Sequence, residues 1–345
     1  MTHVLTVTNI EKLTDQAVSV EFDIPEKLVD QYQFQHGQFV RLTAEIDGQL
    51  IVRSYSICSA PYEKKLKVGI KRVEGGVFSN YANDTLKVGD EIEVSVPQGA
   101  FTHELNSSLA KNYLLVAAGS GITPIISIIK MVLASEPLSK CTLVYGNKNL
   151  ESTMFANDIV DLVKKYADRF KLVSVFSNSD QGDFQGRIDF DLLTKIKAVD
   201  SVDEFFVCGP KQMSVDIYES MLASGLTADH AHIELFEADN GLSGIEQSNA
   251  NNLLSKITVR IDGDSFAFDY EDHTRSILEV ALDHEPDLPY GCQNGSCGSC
   301  QAKVVAGSVE MEVNYALSQS EIDEGLVLVC QSKPTTSQVE FDYDA

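Results

Sequence analysis

The most ordered hydrophobic pattern of the chain lies near its middle. Residues 112–118, Asn-Tyr-Leu-Leu-Val-Ala-Ala, carry no charge, and Gly119-Ser120-Gly121 interrupts them before Ile122-Thr123-Pro124. Beyond this point Ile125, Ile126, Ile128 and Ile129 recur at helical spacing. A continuous apolar run reads as a buried strand, and the change of period reads as strand, turn, then helix. Residues 113–134 have the length of a bilayer span, but the Gly-Ser-Gly turn, Pro124 and Lys130 break the stretch, so no membrane span is expected. Similar strands return at 141–149, 171–179 and 204–213, separated by helical stretches. This alternation is the rhythm of a parallel βαβ sheet.

Different patterns flank this centre. On the amino side, strand-like runs lead into Arg53-Ser54-Tyr55-Ser56 and into Gly75-Gly76-Val77-Phe78-Ser79. On the carboxyl side, 256–271 is two alternating runs joined at Asp262-Gly263-Asp264, which predicts a hairpin. Helical spacing over 276–285, then strand-like runs over 301–313 and 325–332, predicts a small sheet that packs one helix. The polar stretch 237–252, with two glycines and four asparagines, predicts a tether between domains.

Composition narrows the class. A chain of 345 residues with 43% hydrophobic and 23% charged residues fills two or three globular domains. Its amino end lacks the basic flank and continuous apolar run of a signal peptide, so a cytoplasmic location is expected. There, closely spaced cysteines bind metal or do redox chemistry more often than they form disulfides. Half of the formal net charge of −24 lies in residues 256–345, where 17 acidic and 5 basic residues give −12. Solubility alone accounts for such a charge; steering toward a partner with a basic docking face is the functional reading, and the same field disfavours nucleic acid.

Three of the seven cysteines, Cys292, Cys297 and Cys300, follow a C-x4-C-x2-C spacing, and Cys330 comes after 29 further residues. Structural zinc prefers two separated CxxC pairs, whereas this loop with one distant cysteine has plant-type [2Fe-2S] spacing. Gly291, Gly295, Ser296, Gly298 and Ser299 let the loop wrap a cluster and aim amides at sulfur. A zinc knuckle and a metal-free loop are the alternatives. Upstream, Gly76 and Ser79 suit a phosphate at the start of a short helix, Arg53 offers a cation for a pyrophosphate, and Tyr55 offers a flat face for a flavin ring. Taken singly, Arg53 reads as a solvated strand residue and Tyr55 as core. The turn at Gly119 and Gly121 has the strand-turn-helix form of a dinucleotide site, although the third glycine of GxGxxG is missing and an ordinary tight turn also fits.

Over residues 256–345 the chain resembles plant-type [2Fe-2S] ferredoxins, which assigns Cys292, Cys297, Cys300 and Cys330 as iron ligands. With Arg-Ser-Tyr-Ser, Gly-Gly-Val-Phe-Ser, Gly-Ser-Gly-Ile-Thr-Pro and Cys-Gly-Pro in that order, the whole resembles the ferredoxin-NADP reductase superfamily. Within it, the chain is most similar to the reductase subunits of bacterial phenylacetyl-CoA epoxidases, through stretches such as "AAGSGITP", "YGNKN", "GRID" and "VNYAL". The resemblance implies an antiparallel β-barrel for FAD over 1–106, an α/β parallel-sheet domain for the nicotinamide nucleotide over 107–238, a linker over 239–255, and an α+β (β-grasp) ferredoxin over 256–345. It places Arg53, Tyr55 and Ser56 on the flavin, with Ser56 near N5, and Gly76 and Ser79 on its phosphates. It puts Gly119, Gly121, Thr123 and Pro124 on the nucleotide, and Cys208, Gly209 and Pro210 beside the nicotinamide. Phe236 either covers the flavin or ends the last strand as a core residue. Where relatives carry Pro-Gly-Gln this chain has His36-Gly37-Gln38.

The implied activity is electron transfer from NAD(P)H to FAD, to the cluster, and on to an oxygenase component, which belongs to phenylacetate catabolism if the resemblance extends to the partner. A reductase for another acceptor, such as a hybrid-cluster protein or a desaturase, is the rival, and a redox sensor is a third reading. NADPH is expected over NADH: no acid precedes Glu151 after the strand at 141–146, while Lys148, Ser177 and Arg187 are available for a 2′-phosphate. A lysine such as Lys148 also reads as a solvated loop charge.

Overall fold

The computed structural model describes residues 1–236, 254–285 and 288–345, so most of the expected linker lies outside the described residues. The chain divides into two compact units, Met1–Phe236 and Glu237–Ala345.

The first unit opens with six antiparallel strands: β1 (Thr2–Thr14), β2 (Ala17–Phe22), β3 (Phe39–Ile46), β4 (Gln49–Ser56), β5 (Leu66–Lys71) and β6 (Glu91–Ser95), in the order β4-β3-β6-β1-β2-β5. An antiparallel bridge from Ile57 to Val68 links the two edges and curls the sheet into a barrel. Alternation explains the closure. Val18, Val20 and Phe22 of β2 and Leu66, Val68 and Ile70 of β5 face one interior with Val40 and Leu42, and all are buried. Helix α1 (Val77–Asp84) covers one end through Phe78 and Ala82.

A six-stranded parallel sheet follows in the same unit. It contains β7 (Asn112–Ala118), β8 (Lys140–Asn147), β9 (Phe170–Phe176), β10 (Phe184–Gln185), β11 (Glu204–Gly209) and β12 (Ala231–Leu235), in the order β10-β9-β8-β7-β11-β12. Strand order reverses around β7, which leaves a crevice at the carboxyl ends of β7 and β11. Four helices connect the strands: α2 (Ile122–Ser135), α3 (Ala156–Lys165), α4 (Phe190–Lys195) and α5 (Lys211–Ala223). Helix α2 is buried along most of its length because it lies between the sheet and the barrel. Its Ser127 hydroxyl donates to the Ser59 carbonyl at 2.7 Å, and Lys130 pairs with Glu63 at 3.0 Å. Barrel residues Ala17, Cys58 and Phe101 belong to the same core as α2.

The second unit holds β13 (Ser255–Ile261), β14 (Asp264–Tyr270), α6 (Ile277–Ala281), β15 (Gln301–Ala306), β16 (Val309–Met311), α7 (Gln319–Asp323), β17 (Leu326–Leu328), β18 (Ser332–Pro334) and β19 (Gln338–Asp342). Its main sheet runs β14-β13-β19-β15-β17, with β19 parallel to β13, and packs on α6. The expected hairpin is present, with Asp262 at φ 52° and Gly263 at φ 82°, the two left-handed residues of a type I′ turn. Two expectations shift. The helix of 276–285 is only five residues long, started by a Ser276–Glu279 capping box and closed at Leu282. Cys330 lies in a single 3-10 turn, Val329–Gln331, beyond the end of β17 rather than in a strand.

Among the described residues, no helix is long and apolar enough to cross a membrane.

Candidate functional site

The crevice at β7 and β11 is built by a contact that only glycine permits. A Cβ on Gly121 would sit 2.0 Å from the Cys208 carbonyl oxygen, and one on Gly209 would meet the Ala118 side chain at 3.1 Å and the Met213 methyl at 2.8 Å. The turn Gly119–Gly121 and the stretch Cys208-Gly209-Pro210 therefore touch along their backbones. Gly119 stands at φ +56°, and Thr123 ties the turn to α2 by donating to the Ser120 carbonyl at 3.0 Å. Thr123 and Pro124 are buried in the first turn of α2, where the leading amides lack acceptors within the helix. Cys208 is fully buried, and burial, with Glu234 nearby, pushes its thiol well above the usual range. It is therefore no nucleophile at neutral pH. Pro210 is exposed at the start of α5.

The barrel supplies the opposite wall. Gly69 of β5 lies so close to α2 that a Cβ there would meet the Thr123 methyl at 2.6 Å. Two residues on, Lys71 brings its ammonium 3.3 Å from where a Cβ of Gly119 would be. Burial, and then the charge of Lys148, lowers the pKa of Lys71. Among the described residues neither lysine forms an ion pair. An uncompensated, half-buried cation beside a helix start is the electrostatics of an anion site. Lys71 was missed because a lysine ending a strand reads as solvated; only the packing of Gly69 on Thr123 reveals its place.

Residues expected to meet the flavin lie on the same barrel. Arg53 is exposed on β4, with its guanidinium donating to the Val52 carbonyl at 2.7 Å, and Tyr55 packs its ring 5.5 Å from that of Phe78. Ser56 is buried at the end of β4. Gly76 is the N-cap of α1, no side chain caps that helix, and a Cβ on Gly76 would meet the Ser79 hydroxyl at 2.6 Å. Ser79 accepts from the Val73 amide at 3.1 Å and keeps its own proton to donate. The open amides and close-packed glycine fit a phosphate at the start of α1. Phe236 is 41% exposed just past β12, which removes the core reading of that residue.

At the strand ends, the Ser177 amide donates to the Asn147 carbonyl at 3.0 Å and the Asn178 amide to that of Lys148 at 2.9 Å. These bonds set exposed Lys148 and Ser177 side by side. Arg187 is also exposed, after β10.

The second unit gathers its four thiols in twos. The Cys292 sulfur accepts from the amides of Asn294 at 3.5 Å and Cys297 at 3.3 Å, and the Cys297 sulfur accepts from the Cys292 amide at 3.3 Å. The Cys297 thiol donates to Cys292, holding Cys292 low and driving Cys297 up, and the Cys300 thiol, raised in the same way, donates to Cys330. Among the described residues no group of three or more His, Cys, Asp or Glu stands ready-made to hold a metal ion. Two pairs suit two irons, each taking two thiolates from the protein. The Ser299 hydroxyl is buried in this loop beside Cys297, which fits a donor to cluster sulfur. Cys58 and Cys141 are buried elsewhere, and burial pushes the Cys58 thiol up to about 12.

Three family models match the chain: an oxidoreductase FAD-binding domain over 4–103, an oxidoreductase NAD-binding domain over 115–218, and a 2Fe-2S iron-sulfur cluster binding domain over 259–335. The chain is 39% identical to a subunit of the 1,2-phenylacetyl-CoA epoxidase of Escherichia coli (strain K12), covering 99% of this chain and 98% of that protein. It is 33% identical to the ferredoxin reductase component of 3-ketosteroid-9-alpha-monooxygenase of Mycobacterium tuberculosis, over 99% and 95% of the two chains. Among solved structures, phthalate dioxygenase reductase matches with a TM-score of 0.58 at 25% identity, over 99% of this chain and 98% of that one.

Proposed function

Since the chain belongs to the family of reductases that join FAD-binding, NAD-binding and 2Fe-2S domains in one polypeptide, we propose that this NAD(P)H-dependent oxidoreductase serves an oxygenase of the phenylacetyl-CoA epoxidase kind and draws on NADPH. The observation that carries the reading is the 39% identity with the epoxidase protein over 99% of the chain. We assign the domains to 1–106, 107–238 and 256–345.

FAD takes two electrons as a hydride and releases them singly, and a [2Fe-2S] cluster carries one at a time. The chain's own residues position these groups. Arg53, Tyr55 and Ser56 hold the flavin, while Gly76 and Ser79 receive its phosphates at the start of α1. Gly119, Gly121, Thr123 and Pro124 receive the nucleotide pyrophosphate, neutralised by Lys71. Cys208, Gly209 and Pro210 shape the nicotinamide pocket, and the raised thiol of Cys208 keeps it neutral there. Phe236 caps the flavin. Cys292 and Cys297 hold one iron, Cys300 and Cys330 the other.

NADPH follows from the strand ends. Lys148 and Ser177 are held together at the strand ends, with Arg187 on the same edge and no acid on that segment before Glu151, a set that favours a ribose 2′-phosphate over a hydroxyl. The net −12 of residues 256–345 favours an acceptor that is basic at its docking face. A second reading, service to a steroid-type monooxygenase, is favoured by the 33% identity to that reductase component.

The test is anaerobic mixing with NADPH. Bleaching of flavin and then cluster absorbance is expected in the wild type. Cys297→Ser keeps flavin bleaching and ferricyanide reduction but loses the cluster bands and cytochrome c reduction. A Cys297→Ser variant with full iron content refutes the ligand set. Electron delivery to purified oxygenase components then decides between the partners.

A further inference from the structure

Strand β19 shows its core face by alternation: Val339 is 2% and Phe341 0% exposed, and Tyr343, two residues on, continues that face. The Tyr343 ring packs on the core that contains Cys300 and Cys330, and its amide donates to the Arg260 carbonyl at 2.9 Å. Strand pairing explains why a residue so late in the chain reaches these cysteines. Asp342 pairs with Lys303, three residues after Cys300, and the Cys300 carbonyl accepts from the Val329 amide at 3.2 Å, beside Cys330. The phenol oxygen is fully buried and has no hydrogen-bond partner.

A buried hydroxyl without an acceptor is a liability that phenylalanine would avoid at the same volume. Its ring packs on the core that holds Cys300 and Cys330, whose sulfurs carry acceptor lone pairs. We propose that the Tyr343 hydroxyl donates a hydrogen bond to sulfur on the Cys300–Cys330 side of the cluster and raises its reduction potential. The sign follows from charge: the reduced cluster is one unit more negative, so a donor stabilises it more than the oxidised form. Tyr343 acts through the cysteine environment and is a positioning and tuning residue. The inference rests on Cys300 and Cys330 being ligands.

The experiment compares full-length wild type, Tyr343→Phe, and protein carrying 3-fluorotyrosine at position 343. The readouts are iron content, the dye-mediated midpoint potential of the cluster, and Fe–S stretching frequencies. Tyr343→Phe is expected to keep its iron and lower the reduced-to-oxidised ratio about tenfold at fixed potential, a shift of about 59 mV for one electron. Fluorotyrosine, the stronger donor, is expected to move the midpoint the other way. A fully loaded Tyr343→Phe with unchanged midpoint and frequencies overturns the proposal. If that variant loses its cluster, an unmoved midpoint in the fluorotyrosine protein overturns it instead. Full iron retention in Cys330→Ser marks failure of the ligand assignment itself, and the proposal falls with it.

Discussion

A methyl group on Gly121 would come within 2.0 Å of the Cys208 carbonyl oxygen. The turn after β7 and the end of β11 are thus fitted backbone to backbone, and neither can move without the other. Gly121→Ala forces them apart. Overpacking of this kind costs about 1–3 kcal/mol, so the expected outcome is a lower melting temperature together with slower anaerobic FAD reduction. Cluster absorbance should be untouched, because Cys292, Cys297, Cys300 and Cys330 belong to the other compact unit. Stopped-flow flavin kinetics and thermal unfolding check this.

Cys208→Ala removes a small soft side chain from the floor of the same crevice without adding bulk. Flavin reduction by NADPH is expected to slow before stability falls appreciably. Alkylating reagents should leave the native wild type unmodified at Cys208, since the thiol is buried and neutral. Unchanged reduction kinetics would make Cys208 ordinary core. Cys58→Ala and Cys141→Ala, remote from any ligand set, should retain activity.

Coenzyme choice is read by kcat/KM for NADPH and NADH. Lys148→Ala is expected to lower the value for NADPH while sparing NADH, because it removes a contact to the 2′-phosphate alone. Lys71→Ala is expected to weaken both coenzymes, since Lys71 faces the turn assigned to the shared pyrophosphate. A wild type that prefers NADH refutes the first assignment, and equal loss for both coenzymes in Lys148→Ala moves the 2′ contact to Ser177 or Arg187.

The seam between barrel and parallel sheet predicts a pH dependence. His36 is 5% exposed, with Nε2 3.2 Å from His103 Nδ1 and 3.4 Å from the Thr102 hydroxyl; His103 Nε2 is 3.0 Å from the Tyr113 hydroxyl. Tyr113 donates to buried Glu136 at 2.9 Å, and His232 and Glu204 complete the surroundings. Burial lowers the pKa of His36 from 6.5 to about 4 and that of His103, with His36 beside it, to about 3. The unfolded chain therefore binds protons first. Stability is complete above about pH 6.5 and is lost progressively as pH falls toward 4 and 3. His36→Gln should flatten this slope, measured as urea midpoints between pH 7 and pH 5 with saturating FAD. An identical slope in the variant would remove His36 from the explanation.

Much of this architecture was legible because period and punctuation agreed. The apolar run of β7 ended in glycines that the backbone contact requires, and Asp262-Gly263 supplied the two left-handed residues of a hairpin. The illegible parts depend on packing between sequence-distant elements. The strand-like Leu-Val-Leu-Val before Cys330 predicted continued extension, but the turn at Val329–Gln331 ends it and brings Cys330 beside Cys300. His36 read as a small departure at a barrel turn, whereas it is one half of a part-buried pair whose other half is 67 residues away. Lys71 had no local signal at all.

The core shared by Ala17, Cys58 and Phe101 of the barrel with helix α2 also decides how this chain can be recombined. A cut near residue 106, the natural place to part the flavin and nucleotide modules on paper, would strip α2 of its cover and leave Phe101 and His103 separated from Phe206 and Tyr113. The portable pieces are instead residues 1–236 and the ferredoxin from Ser255 onward, each with a core of its own. Chimeras that exchange one-electron carriers between reductases should be joined between those two residues.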